Sequence, residues 1–203
     1  MQIKWPNNKD FAFTIIDDTD EATVNNLIPI YNFLYKLKIF ATKTVWIEPS
    51  RDKFTGDYLK QKNYLDFILD IKKKGYEIAF HGVGSGDYQR KEILEGLEFY
   101  KENLGSYPNI QINHGQNPSN LYWGNSGGSR LFQFYSKIKI PQENYYGNDP
   151  NSMYFWGDFT KKHIKYIRSR MCNCTNTLSF DPRMPYIDND KKEFSNYWFS
   201  SSD

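Results

Sequence analysis

Phe11-Ala12-Phe13-Thr14-Ile15-Ile16-Asp17-Asp18-Thr19-Asp20 is the stretch on which the reading of this chain turns. Its first part is apolar and β-branched and predicts a buried strand. The run then stops at adjacent carboxylates, which mark the strand's C-terminal end. Open α/β sheets and barrels place their chemistry at that end. Two acids beside an apolar core are costly to hold without a cation or hydrogen-bond donors, and that cost is the first sign of a site. The plain alternative is a turn in which Asp17 and Asp18 cap the next helix.

Downstream, strand and helix patterns alternate. A helix over about Ala22 to Lys38 carries Leu27, Tyr31, Leu34 and Tyr35 on one face, with Pro29 setting its first turn apart. Ile39 to Ile47 reads as a second strand and Pro49 to Gly56 as a polar loop. Tyr64, Phe67, Ile68 and Ile71 repeat at helical spacing, with Gly75 as the C-terminal cap. Tyr76 to Phe80 is a third strand ending at His81, and Gly82 to Asp87 a flexible loop. A helix from about Gln89 to Asn103 turns Ile93, Leu94, Leu97 and Tyr100 inward, and Ile110 to Asn113 is a fourth strand ending at His114. This β-α-β-α-β-α-β order implies parallel strands with right-handed crossovers.

The second half is less regular. Trp123 to Arg130 reads as a loop; its glycines, with no Lys and no clear preceding strand, make no phosphate cradle. Leu131 to Ile140 could be helix, Ser152 to Trp156 strand, Thr160 to Arg170 helix, and Thr177 to Phe180 and Tyr197 to Phe199 further strands. Neither a repeat nor a linker divides the chain.

The composition narrows the function classes. The 203 residues suffice for one domain with a substantial core. The net charge is +2 with no block of like charge, which disfavours nucleic acid as a partner. Mean hydropathy is low and no apolar run approaches the roughly 20 residues of a membrane span. The N-terminus lacks a signal-peptide layout. Cys172 and Cys174 are too few and too close for a disulfide framework and read as free thiols. The expectation is a cytoplasmic protein. Aromatic residues make up 18% of the chain, which allows flat platforms for sugar rings as well as core packing.

Two of the three histidines, His81 and His114, follow directly after predicted parallel strands, as Asp17 and Asp18 do. Strands one, three and four would therefore aim these groups into one mouth. A carboxylate with two imidazoles is a catalytic zinc-type set that leaves a position for water. A second carboxylate could take that water's proton. The third histidine, His163, falls in a predicted helix and reads as exposed.

These segments resemble the polysaccharide deacetylases of carbohydrate esterase family four. Ile15-Ile16-Asp17-Asp18-Thr19 is similar to the family's Thr-Phe-Asp-Asp-Gly motif. Ile39-Phe40-Ala41-Thr42 is similar to its second strand, and Lys73 to His81 to its Gly-His-Glu-Ile-x-x-His lead. The resemblance covers roughly the first 115 residues. It implies an irregular or incomplete (β/α) barrel of the polysaccharide deacetylase type. Residues 1–203 would form a single catalytic domain whose C-terminal strand and acid either lie beyond this chain or have been lost. It further implies Asp17 as catalytic base, with Asp18 and His81 as metal ligands.

Departures accompany the resemblance. Ser85 stands where the second metal histidine of the family's His-x-x-x-His falls, and His114 is a candidate replacement from the neighbouring strand. The Arg-x-Pro-Tyr motif has no counterpart near Asn113 to Pro118. Arg183-Met184-Pro185-Tyr186 comes too late in the order and reads as a turn. No match exists for the family's C-terminal Leu-x-His. Trp46, Tyr122, Trp123 and Trp156 come at or just after strand ends and are candidate sugar contacts, with core packing the alternative for each. The resulting expectation is a divalent-metal, most simply zinc, hydrolase that removes an N-acyl group from an amino sugar in surface-polysaccharide synthesis. The alternative is a non-catalytic, carbohydrate-binding descendant.

Overall fold

A six-stranded, all-parallel sheet curls into a half-barrel with its strands in sequence order. The computed structural model describes residues 6–123, 145–172, 176–180 and 182–202. The strands are β1 (Ile16–Asp17), β2 (Thr42–Val45), β3 (Glu77–Phe80), β4 (Ile110–Ile112), β5 (Tyr166–Cys172) and β6 (Tyr197–Ser202). Between them run α1 (Val24–Lys36), α2 (Lys62–Lys73), α3 (Arg90–Leu104), α4 (Gly157–His163) and a single turn, α5 (Thr177–Phe180). The α/β class and the parallel order agree with the expectation. The expected loop and helix over 124–140 lie outside the described residues.

Local sequence explains the ends of α1 and α3. Thr23 caps α1 by accepting from the Asn26 N–H at 3.3 Å, while the Asn26 side chain accepts from the Thr23 N–H at 2.9 Å. Gln89 and Glu92 form the same reciprocal box at the start of α3, and Gly105, at φ 85°, ends it. Helix α1 runs through Pro29 without a separate first turn. Its Leu27 and Tyr31 join Tyr64, Ile68 and Ile71 of α2 and Ile93, Leu97 and Tyr100 of α3. This layer covers Val45, Ile78 and Phe80 on the convex face of the sheet.

Four sequence expectations change. The opening strand is only two residues long, and Phe11 and Phe13 are largely exposed, so the run over 11–13 is not core, although Ile15 packs against the core. Ser152 to Trp156 is turn, not strand. The helix expected over 160–170 ends at His163, and the chain re-enters the sheet as β5. Thr177–Phe180 is helical rather than extended. In the third case Tyr166 and Ile167 are an aromatic and a β-branched residue of the kind that suits a strand. Pairing of β5 with both β4 and β6 secures the extended form.

Candidate metal centre

The parallel registers fix which side chains face the concave interior. Asp17 pairs with Lys43, Val45 with Phe80, and Ile112 with Arg168. Residues paired in register share a face, and neighbours along a strand alternate. Asp17 and Lys43 therefore lie on the helix-covered side with Val45 and Phe80. Asp18, His81 and Arg168 lie on the open, concave side.

At the C-terminal mouth of the sheet, Asp20, His81 and His114 bring one donor atom each within 4.8 Å of one another. The Asp20 carboxylate is 3.6 Å from His81 Nε2 and 3.2 Å from His114 Nε2. Both imidazoles are buried, at 2% and 3% exposure, whereas Asp20 is a third exposed and forms the open side. Burial pushes the Asp20 carboxyl up, but the two imidazoles against it outweigh burial and hold it well below the usual carboxylate range.

The proton positions on these rings follow from their outer partners. His81 Nδ1 lies 3.1 Å from the Ile112 carbonyl oxygen. A carbonyl only accepts, so Nδ1 carries the hydrogen and Nε2 presents a lone pair. His114 Nδ1 faces Ser85 Oγ at 3.5 Å, and that hydroxyl donates to Asp52 Oδ2 at 2.6 Å. His114 Nε2 itself donates to the Asp20 carboxylate at 3.2 Å, so a proton holds the place that an ion would take. A carboxylate with two imidazoles is a fitting donor set for a divalent ion, whose binding would release that proton.

The carboxylate that completes this group is Asp20, whereas the sequence reading placed Asp18 there. Asp18 stands beside it, with Oδ2 4.0 Å from His81 Nε2 and 3.4 Å from Arg168 Nη1. Its Oδ1 is buried and has no hydrogen-bond partner among the described residues. Asp17, the expected base, is turned beneath α1. Its Oδ2 accepts from Tyr31 Oη at 2.9 Å and pairs with the fully buried Lys43 ammonium at 3.2 Å. Burial lowers the Lys43 pKa, with the Asp17 charge opposing, and burial together with Asp17 raises that of Tyr31. The strand's alternation separates the two neighbours, one to structure and one to the site.

The expected sugar contacts divide. Trp46 is fully buried, its ring parallel to His81 at 6.5 Å and edge-on to His114 at 5.5 Å, so it walls the imidazoles instead of facing solvent. Trp156 is also buried; its Nε1 donates to the Ser119 carbonyl at 2.7 Å and its ring packs on Phe80. Neither offers a free face to a sugar. Tyr122 and Trp123 are half-buried, with Tyr122 edge-on to Trp198. His163 packs between Tyr107 and Phe159 and feeds the N-terminal end of β5, opposite the mouth.

The sequence reading missed Asp20 and Arg168 as site residues. Asp20 lies past the end of β1, on the turn before α1, where strand alternation gives no signal for it. Arg168 was hidden inside an expected helix. No helix among the described residues is long and apolar enough to cross a membrane. Comparison with family models, curated proteins and solved structures finds no match.

Proposed function

We propose that the chain is a metal-dependent hydrolase in which Asp20, His81 and His114 hold a divalent ion, most simply zinc, and Asp18 moves the proton. The observation that carries this reading is the Asp18 carboxylate. One oxygen is paired with Arg168, and the other is buried and unpartnered, next to the converging donors. A bound divalent ion acidifies a water and polarises a carbonyl. Asp18, kept in place by Arg168, accepts the proton that the water gives up as it attacks the acyl carbon.

The proton must then reach the departing nitrogen as the C–N bond breaks. All three histidines are accounted for, two in the donor group and His163 at the other end of the sheet. Asp18 therefore serves in both directions, as base on attack and as acid on departure. The balance is one water consumed, one amide bond broken, one carboxylic acid and one amine formed.

The substrate class rests on the resemblance in the first 115 residues: an N-acyl amino sugar, consumed in surface-polysaccharide synthesis. Half-buried Tyr122 and Trp123 are the candidate ring contacts, since Trp46 and Trp156 are enclosed.

The test pairs metal analysis of the purified chain with release of acetate from N-acetylated amino sugars. Stoichiometric zinc, turnover in the wild type and loss of turnover in Asp18→Asn support the reading. A chain that binds zinc and sugar but never releases acetate is the non-catalytic descendant. A chain that takes up no divalent ion overturns the metal centre itself.

A further inference from the structure

Ser85 occupies the position that the resemblance gives to a metal-binding histidine, and its surroundings assign it another task. It is fully buried in the loop after β3. Its hydroxyl donates to Asp52 Oδ2 at 2.6 Å, so its hydrogen is committed and a lone pair remains for His114 Nδ1 at 3.5 Å. Asp52 is itself fixed: its Oδ1 accepts from Ser50 Oγ at 3.0 Å and from the Phe54 N–H at 2.9 Å. Burial works against the charge on Asp52, but these hydrogen bonds, that from Ser85 foremost, prevail and hold its carboxyl below the ordinary range.

The surrounding loops keep this chain of contacts in register. The Arg51 N–H donates to the Ser85 carbonyl at 2.8 Å, joining the loop after β2 to the loop after β3. Asn117 clamps the second loop to the third, donating to the Gly84 carbonyl at 2.9 Å and accepting from the Gly86 N–H at 2.7 Å. A side chain at Gly82, which has φ +90°, would come within 2.9 Å of Asn117 Nδ2, so the clamp depends on a glycine there. Phe54 and Trp46 close edge-on against the His114 ring.

We propose that Asp52 and Ser85 are a positioning pair that keeps a proton on His114 Nδ1 and thereby leaves Nε2, which otherwise donates to Asp20 at 3.2 Å, as the nitrogen that takes the metal. The inference rests on Asp20, His81 and His114 being a metal site. It gives His114 the outer-shell support that His81 receives from the Ile112 carbonyl, and such partners govern ligand orientation and basicity. Carboxylate, hydroxyl and imidazole act in series, so removing either outer member disarms the ligand without removing it. In Asp52→Asn the amide NH2 can donate to Ser85 Oγ. The serine hydrogen then turns to His114 Nδ1 and favours the wrong tautomer.

The experiment uses the full chain stripped of metal and retitrated with zinc against a chromophoric chelator, alongside ¹⁵N spectra of the histidine rings in the metal-free protein. Ser85→Ala and Asp52→Asn are expected to weaken zinc binding by about 10–100-fold. In the spectra, His114 Nδ1 carries a proton in the wild type and loses it in Asp52→Asn, while Nε2 keeps its hydrogen bond to Asp20. Zinc affinities within twofold of wild type in both variants, or an unchanged tautomer in Asp52→Asn, overturn the pair. Wild-type protein that takes up no zinc overturns the metal reading instead, and the ring spectra still decide the tautomer claim.

Discussion

Arg168 Nη1 lies 3.4 Å from Asp18 Oδ2, joining the fifth strand of the sheet to the first across the concave face. The two residues are 150 positions apart in sequence. The contact exists because the sheet curls; in a flat sheet four strand spacings would separate them by about 19 Å. The half-barrel therefore does more than support the site. It delivers a cation to the inward-facing acid, and a register irregularity in β5 between Arg168 and Met171 lies where that side chain departs.

The first prediction concerns Asp18. Asp18→Asn keeps the shape of the side chain and leaves Asp20, His81 and His114 intact, so zinc content is expected to stay at the wild-type level. Turnover is expected to fall by at least the 10²–10⁴-fold typical of a lost general base. Elemental analysis and acetate release measured on one preparation check both halves. Loss of zinc in this variant would make Asp18 a ligand instead of a proton carrier.

The second concerns the donor group. Asp20→Asn and His114→Ala each remove one donor from three. Both are expected to purify with little zinc, and the wild type to be stabilised by added zinc through mass action, by about 2.7 kcal/mol at 100 times the dissociation constant. Thermal melts with and without zinc read this directly. An equal zinc-induced shift in Asp20→Asn would sink the assignment.

Much of this was legible in the sequence. The spacing of Tyr64, Phe67, Ile68 and Ile71 specified α2, and the placing of His81 and His114 after strands located the mouth. What could not be read was the phase of β1. With only two residues in the strand, no run of alternating side chains shows which of Asp17 and Asp18 faces in. That phase is set by the pairing of Asp17 with Lys43, a contact between residues 26 apart. Likewise, Arg168 joins the site only when β5 is placed, and pairing on both sides decides that placement. Burial of Trp46 and Trp156 is a property of the closed loops, invisible in a list of aromatics.

The third prediction concerns the fork between α3 and α4. Arg90 donates to both Asp158 oxygens, at 2.7 and 2.8 Å, and to the Phe155 carbonyl at 2.7 Å. The Arg90 hydrogen bonds hold the Asp158 carboxyl below its usual range. A carboxyl with a lowered native pKa contributes stability above its unfolded value of about 3.9, and that contribution is lost as pH falls through the native value. Both side chains are substantially exposed, which limits the effect to about 1 kcal/mol. Arg90→Met should therefore melt below wild type at pH 7, and the gap should narrow on acidification below pH about 4. A gap independent of pH would assign it to the Phe155 contact.

The last prediction separates Asp17 from its neighbour. Lys43 is wholly buried under α1 and α2, and Asp17 is the only carboxylate among the described residues paired with it. Its ammonium also donates to the Asp18 carbonyl at 2.8 Å, so the pair ties the backbone of the acid loop to β2. Removing one partner of a buried pair leaves an uncompensated charge and costs about 3–5 kcal/mol. Asp17 is a third exposed, which brings the expected cost of Asp17→Asn to about 2 kcal/mol, a fall in melting temperature of about 4–8 °C for a chain of this size. Zinc content should persist, because the residue faces away from the donors. Asp17→Asn with Lys43→Met removes both charges and should recover part of the loss, since the Met fills the buried stem's place. A stable, zinc-loaded but inactive Asp17→Asn would return the base to Asp17. An unstable variant with normal zinc and residual turnover assigns it to the scaffold.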